Sequence, residues 1–200
     1  MSHNLTTINS LTNTCVLLDK GKIRSLGSTS EVVRHYLADI ELSTGKMVWD
    51  ENKPGNDLFE LEQCTIGEGN NTEYTSDQEI LVEFIFTVKR DTLGLRVGYD
   101  LLSSEGIIIF RAYHDDQYIK LEPVRAGKYR AICKIPANLF NQGTYYITFR
   151  SGIQNIQRIL VIDNLLKFSI INLVGSNAQY GGIRPGLINL NLHWDLNKLI

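Results

Sequence analysis

The chain has 200 residues, 43% of them apolar, and a net charge of −2 from 20 basic and 22 acidic side chains. That length allows one domain, or one domain plus a fragment, with enough apolar residues to bury a core. Neither the first 45 residues nor the remainder carries a basic field, which argues against nucleic acid as a partner.

No apolar run reaches the roughly 18 residues of a membrane span, and the polar N-terminus is not signal-like. Cys15, Cys64 and Cys133 are far apart in sequence and belong to no motif. They read as reduced thiols of a cytosolic protein, not as a disulfide frame or a zinc site.

Residues 1–45 differ in character from the rest. Asn4 to Asn13 has Leu5, Ile8 and Leu11 three apart, the spacing of a short amphipathic helix. Cys15 to Asp19 is an apolar strand. Lys20-Gly21 turns it, and Lys22 to Leu26 pairs back as a hairpin. Ser28-Thr-Ser-Glu31 is a capping box, in which the Ser28 hydroxyl takes the Glu31 amide and the Glu31 carboxylate returns to the cap. Val32, Val33, Tyr36, Leu37 and Ile40 follow at helical spacing, so a helix is expected from Thr29 to about Leu42. Such a piece is too small to bury its own apolar faces. It reads as the end of a larger domain whose beginning is missing.

Residues 43–57 are expected to be a linker, with a turn at Pro54-Gly55. Within it Trp49 is either an anchor onto one of the flanking units or an ordinary packing aromatic. From Leu58 the pattern is uniformly β. Strands are expected at Phe59–Ile66 (Phe59 and Leu61 inward, Cys64 a third candidate), at Ile80–Lys89 (apolar on both faces and hence central), at Leu95–Leu102, at Ile107–Tyr113 and at Gly127–Ile135. Ile135 to Gly152 carries a turn-prone run and then the clearest alternation in the chain. Tyr145, Ile147 and Phe149 share one face, and Tyr146, Thr148 and Arg150 the other. One helical turn is expected at Asn138–Phe140. Gln157–Asp163 and Leu165–Val174 close the array. Strands at this spacing without intervening helices mean a mainly β, antiparallel β-sandwich over residues 58–200, preceded by the small α/β piece at 1–42. After a Gly-rich stretch, Leu187 to Trp194 alternates again. A strand after a long loop at the end of a chain can pair with another chain's sheet edge.

Two resemblances follow from these residues. Ser2-His3-Asn4, the VLLDKGKIRSLGS hairpin and the capped helix ending in Tyr36-Leu37 resemble the C-terminal end of an ABC-transporter ATP-binding domain. In that family the His after the Ser is the nucleotide-switch histidine, here His3, and ATP with magnesium is bound by the full-length subunit. This chain has no G-x-x-x-x-G-K-[ST] loop to hold the phosphates, so no cofactor is expected in it and His3 has nothing to switch.

The second resemblance spans nearly all of residues 46–196. Its pieces are Trp49-Asp50 with Pro54-Gly55-Asn56, Gly98 to Gly106 before an apolar strand, Ala126 to Tyr129, Ile135 to Tyr145, and Tyr180 to Gly186 before His193-Trp194. In that order they are similar to the C-terminal domain of ATP-binding subunits of polysaccharide (O-antigen type) ABC exporters, the Wzt type. The resemblance implies an immunoglobulin-like sandwich that recognises the finished end of a lipid-linked glycan and selects cargo for export. It also implies a homodimer through exchanged C-terminal strands (187–196), attachment to the transporter's membrane-spanning subunit, and a cytoplasmic location peripheral to the inner membrane.

Glycan recognition needs aromatic faces for sugar C–H patches and planar polar groups for paired hydroxyls. The strand faces opposite the expected core offer Arg96 and Asp100, then Arg111 and Tyr113 with His114 to Asp116 beyond, then Tyr146, Thr148 and Arg150. These are the candidate ligand-binding residues. The alternative is that they form the ordinary solvated face of an antiparallel sheet. Catalysis finds no support: Asp115-Asp116 are neighbours in a loop, the four histidines lack metal-ligand spacing, and Ser151-Gly152 lacks a hydrolase elbow. A non-catalytic dimerisation module of the transporter, without a glycan ligand, is the other reading.

Overall fold

The structure is a computed structural model that describes residues 8, 11–19, 21–39, 45–172, 186–189 and 193–198. Strands β1 (Thr14–Asp19) and β2 (Lys22–Ser28) form the expected hairpin. Gly21 turns it with φ 79°, a conformation glycine adopts without steric cost. Helix α1 (Thr29–Asp39) starts at the expected capping box. The Ser28 hydroxyl lies 3.4 Å from the Glu31 amide and 2.7 Å from the Glu31 carboxylate. Side-chain and backbone hydrogen bonds from Ser28 hold the Glu31 carboxyl below its ordinary range. Val32 and Val33 are buried.

The β region is a sandwich of two sheets. One has the order β11-β6-β4-β3, built from β3 (Lys46–Val48), β4 (Phe59–Ile66), β6 (Ile80–Val88) and β11 (Gly127–Ile135). The other has the order β5-β13-β12-β8-β9, built from β5 (Glu73–Thr75), β8 (Leu95–Ser103), β9 (Ile108–Tyr113), β12 (Gly143–Ile153) and β13 (Gln157–Asn172). A short pair, β7 (Thr92–Leu93) with β10 (Pro123–Val124), joins loops at one end. All pairings are antiparallel except that of β5, which runs parallel to β13 at an edge.

The core lies between the sheets. Phe149 of β12 packs on Phe84 (ring centroids 5.1 Å apart) and on Phe59 (6.1 Å). Tyr145, Ile147 and Phe149 all face inward, as the alternation requires. Each such side chain contributes roughly 1.5–3 kcal/mol by leaving water. β6 lies between β11 and β4, which fits its apolar content.

Three local features differ from the expectation, and a fourth explains it. Leu61 and Cys64 are both fully buried although three residues apart. A bulge between Leu61 and Gln63 shifts the alternation by one residue and turns both inward. Lys46–Val48, within the expected linker, pairs with β4 (Met47 opposite Cys64), and Trp49 packs against the sandwich core. The two expected closing strands are one, β13, in which Asn164 has φ 50° beside a register shift against β12. Asn138 has φ 60°, so no helical turn forms there; Phe140 instead makes an antiparallel bridge with Ile188. Asn tolerates that left-handed conformation better than other side chains. Part of the expected strand at 187–196 lies outside the described residues. Its described start is held on the chain's own loop, where Asn189 donates its amide to the Leu139 carbonyl at 2.8 Å.

Candidate functional site

The alternation that places Leu95, Val97, Tyr99 and Leu101 in the core puts Arg96, Asp100 and Leu102 on the outer face of the five-stranded sheet. Register then lines up the neighbouring strands. Thr148, Asp100 and Arg111 form one row across β12, β8 and β9. Arg150, Gly98 and Tyr113 form the next, and Tyr146 lies opposite Leu102 on the other side. All seven residues singled out in the sequence therefore share one sheet face.

Asp100 is the hub. It is 1% exposed, an expensive place for a carboxylate unless its charge is met. Arg111 meets it with two hydrogen bonds, Nε to Oδ1 at 2.5 Å and Nη2 to Oδ2 at 3.0 Å. Arg150 donates Nε to Oδ2 at 2.5 Å from the opposite strand. The hydrogen bond to Asp100 pushes the Arg111 guanidinium pKa further up. Two guanidiniums share one carboxylate, so the triad carries a formal charge of about +1.

A second cluster adjoins it. Arg96 lies over the Tyr113 ring, 4.1 Å from the centroid, a cation–π arrangement. Its Nε reaches Asp115 at 2.8 Å and its Nη2 reaches Asp116 at 2.7 Å. Asp116 also accepts the Tyr113 amide at 2.7 Å. His114 Nδ1 accepts the Val97 amide at 3.2 Å, so in the neutral ring the proton sits on Nε2. One cation against two carboxylates gives this cluster about −1, so the two clusters together sum to about zero, with Lys167 and Arg158 of β13 adding positive charge to the same face. Gly98 sits beneath. A Cβ there would lie 2.0 Å from the Ala112 carbonyl and 2.8 Å from the Tyr113 ring, so only glycine lets β9 and its tyrosine lie this close.

Three of the seven differ from the expectation of a solvent-facing site: Asp100, buried under its two arginines, and two more. Tyr146 is 4% exposed because Val33 of α1, Leu102 and Ile108 pack around it. Burial raises its pKa. Thr148 is 3% exposed, and its Oγ1 accepts the Asn164 amide at 3.1 Å. Neither side chain is open to a ligand. The reason is tertiary: α1 lies on the sheet at one residue, and the β13 bulge closes over the other. Arg111, 43% exposed at its side chain, is the most open of the set, with Tyr113 and Arg96 partly open. His3 lies outside the described residues. Sequence reasoning missed Gly98, whose only signal was a glycine in the middle of a strand. It also missed Gln117, Tyr118 and Glu122 in the loop after β9.

The outer face of the other sheet carries a separate cluster. Glu62 accepts Thr87 Oγ1 at 2.5 Å, Lys128 Nζ at 2.8 Å and an ion pair from Lys53 at 3.3 Å. These bonds, that of Lys128 foremost, hold its carboxyl down to about 2. Among the described residues no group of three or more His, Cys, Asp or Glu side chains could hold a metal ion, and no helix is long and apolar enough to cross a membrane.

The architecture defines a class: a two-sheet, mainly antiparallel β-sandwich whose outer face presents arginines, carboxylates and a tyrosine. No family model and no curated protein matches the sequence. The fold is that of the C-terminal domain of Wzt. The crystal structure of that domain superposes with a TM-score of 0.56 at 14% identity, over 74% of this chain and 89% of the solved one.

Proposed function

We propose that this chain is a non-catalytic carbohydrate-recognition module of a polysaccharide ABC exporter, with the glycan held on the outer face of β8, β9 and β12. The observation that carries the reading is the clustering on that face of Arg96, Asp100, Arg111, Tyr113 and Arg150. Arg111 and Arg150 are fixed by Asp100 yet spend only three of their ten N–H groups on it. Donors held rigid before binding lose little entropy when a hydroxyl arrives. The Tyr113 ring, covered by Arg96 on one face, presents a half-open edge beside them. The shared fold with the Wzt domain and the N-terminal resemblance to an ATP-binding domain support a position at the end of an exporter's ATP-binding subunit. There it selects cargo by its glycan end as a cytoplasmic homodimer, with residues 1–42 as the end of the ATPase domain.

The test is retention of the producing strain's own polysaccharide on the immobilised chain, with Arg111→Ala and Tyr113→Ala as variants checked for folding by circular dichroism. Each variant is expected to weaken retention at least about tenfold, a loss of roughly 1.4 kcal/mol. Unchanged retention in both variants would sink the site. No retention by the parent chain would leave only the role of interaction module.

A further inference from the structure

The sandwich does not close along its β9–β11 side. A cleft of about 860 Å³ opens there between the sheets, in the range of small-molecule sites. Its floor is core: Val97 and Tyr99 from one sheet and Phe84 and Phe86 from the other are buried, and the Tyr99 hydroxyl reaches Cys133 Sγ at 3.4 Å, while Tyr129 and Ala131 form the half-buried wall. An independent sign is the burial of β11. Tyr129, Ala131 and Cys133 pack against the core yet remain half-buried, whereas Val82, Phe84 and Phe86 on the adjoining β6 are buried. The Tyr129 ring is held in place: it stacks on Phe86 at 5.6 Å with 15° between planes, and its hydroxyl donates to the Arg125 carbonyl at 2.8 Å.

The mouth is polar and its cations are already met. Arg130 pairs with Glu83, and Lys134 with Glu79 at 3.5 Å. Asp115 is taken by Arg96. What remains turned to solvent is an amide, a carboxylate and a ring N–H: Gln117, Glu122 and His114 Nε2. The side chains of Gln117 and Glu122 have no hydrogen-bonding partner among the described residues. With both lining cations neutralised there is no site for an anion, and the aromatic walls do not suit a strongly hydrated charge.

From this geometry we infer that the cleft is a binding subsite for one neutral sugar unit. Its C–H face packs on the half-buried Tyr129 ring, and its hydroxyls meet Gln117, Glu122 and the His114 N–H. The inference rests on the glycan reading above and adds a place. Gly98, Tyr113 and Asp115 border both the outer face and the cleft, so one polymer can pass from the face around the end of β9 and seat a residue between the sheets.

The experiment is amide shift mapping by NMR on the full chain with D-mannose, D-galactose and L-rhamnose, and with D-glucuronate as the charged control. At least one neutral sugar is expected to shift residues 95–99 and 129–133, with glucuronate at least about tenfold weaker. Ala131→Trp, which fills the cleft, is expected to remove those shifts. Gln117→Ala with Glu122→Gln, two exposed changes that leave the fold alone, is expected to weaken binding at least about tenfold and decides the matter if Ala131→Trp does not fold. Shifts that appear only on the outer face, or for none of the three neutral sugars, overturn the subsite, as does glucuronate binding equally well. If the strain's polysaccharide is retained equally by parent and both variants, the subsite falls and the proposed function stands. If the neutral sugar binds in the cleft but the polysaccharide is not retained, the exporter reading falls instead.

Discussion

Replacing Asp100 by Asn tests the arrangement on which the outer face depends. The substitution keeps the side-chain volume and removes the charge. Three charge-assisted hydrogen bonds end on this carboxylate, two from Arg111 and one from Arg150, and the group is 1% exposed. An amide in its place must point either an oxygen or an NH2 at each guanidinium, and the NH2 repels it. Removing one partner of a fully buried pair costs about 3–5 kcal/mol. Here the side chains of Arg111 and Arg150 are 43% and 21% exposed, so both can turn partly to water. The expected loss is therefore near the lower limit, about 3 kcal/mol, which corresponds to a fall in Tm of about 6–12 °C for a chain this size. Urea denaturation followed by circular dichroism measures it, with an unchanged m-value showing that the unfolded reference has not moved. A double-mutant cycle with Arg111→Met should return a coupling of about 2 kcal/mol. Asp100→Leu combined with Arg111→Met and Arg150→Met should recover most of the lost stability, since an apolar trio needs no desolvated charge. A loss below about 0.5 kcal/mol for Asp100→Asn, or zero coupling to Arg111, would refute the reasoning.

Three further outcomes are expected. The Glu62 carboxyl is depressed to about 2 by Lys128, Thr87 and Lys53, so its contribution is complete above the ordinary carboxylate value of 4.5 and disappears as pH falls through about 2. With one partly exposed and one exposed lysine partner it is worth about 1–2 kcal/mol, and Glu62→Gln should flatten that limb of a Tm-versus-pH curve between about pH 5 and about pH 2; an unchanged limb contradicts the assignment. Gly98→Ala drives a Cβ into the Ala112 carbonyl, 2.0 Å away, and should cost about 3 kcal/mol as β9 is displaced; a Tm within about 2 °C of the parent would show that β9 yields freely. Tyr146→Ala should cost about 3–5 kcal/mol, and its cycle with Val33→Ala should show coupling of about 1 kcal/mol if α1 packs on the sheet as described; strict additivity in chemical denaturation would place the helix elsewhere.

Much of the fold was legible along the chain. Alternation over Tyr145 to Arg150 gave strand, face and core side together, because the two-residue period of a strand leaves no third choice. The capping box at Ser28 and Glu31 marked the start of α1 to the residue, since its bonds are local. The sandwich and the choice of one sheet face for Arg96, Asp100, Arg111, Tyr113 and Arg150 followed from the same periodicity. Where alternation is interrupted the reading slipped. The left-handed Asn164 that makes one strand of two leaves no mark in hydrophobic pattern.

Tertiary structure alone decided what those side chains do. Two arginines on different strands converge on Asp100 only because register sets Thr148, Asp100 and Arg111 in one row and Arg150 beside them. Tyr146, outward by pattern, is buried because a helix more than a hundred residues earlier lies over it. The cleft at β11 is lined from both sheets, and no single strand encodes a distance between sheets. Periodicity is a property of neighbours along the chain, and it reports which way a side chain points. Whether that direction ends in water, in a guanidinium or under a helix depends on contacts between residues far apart in sequence.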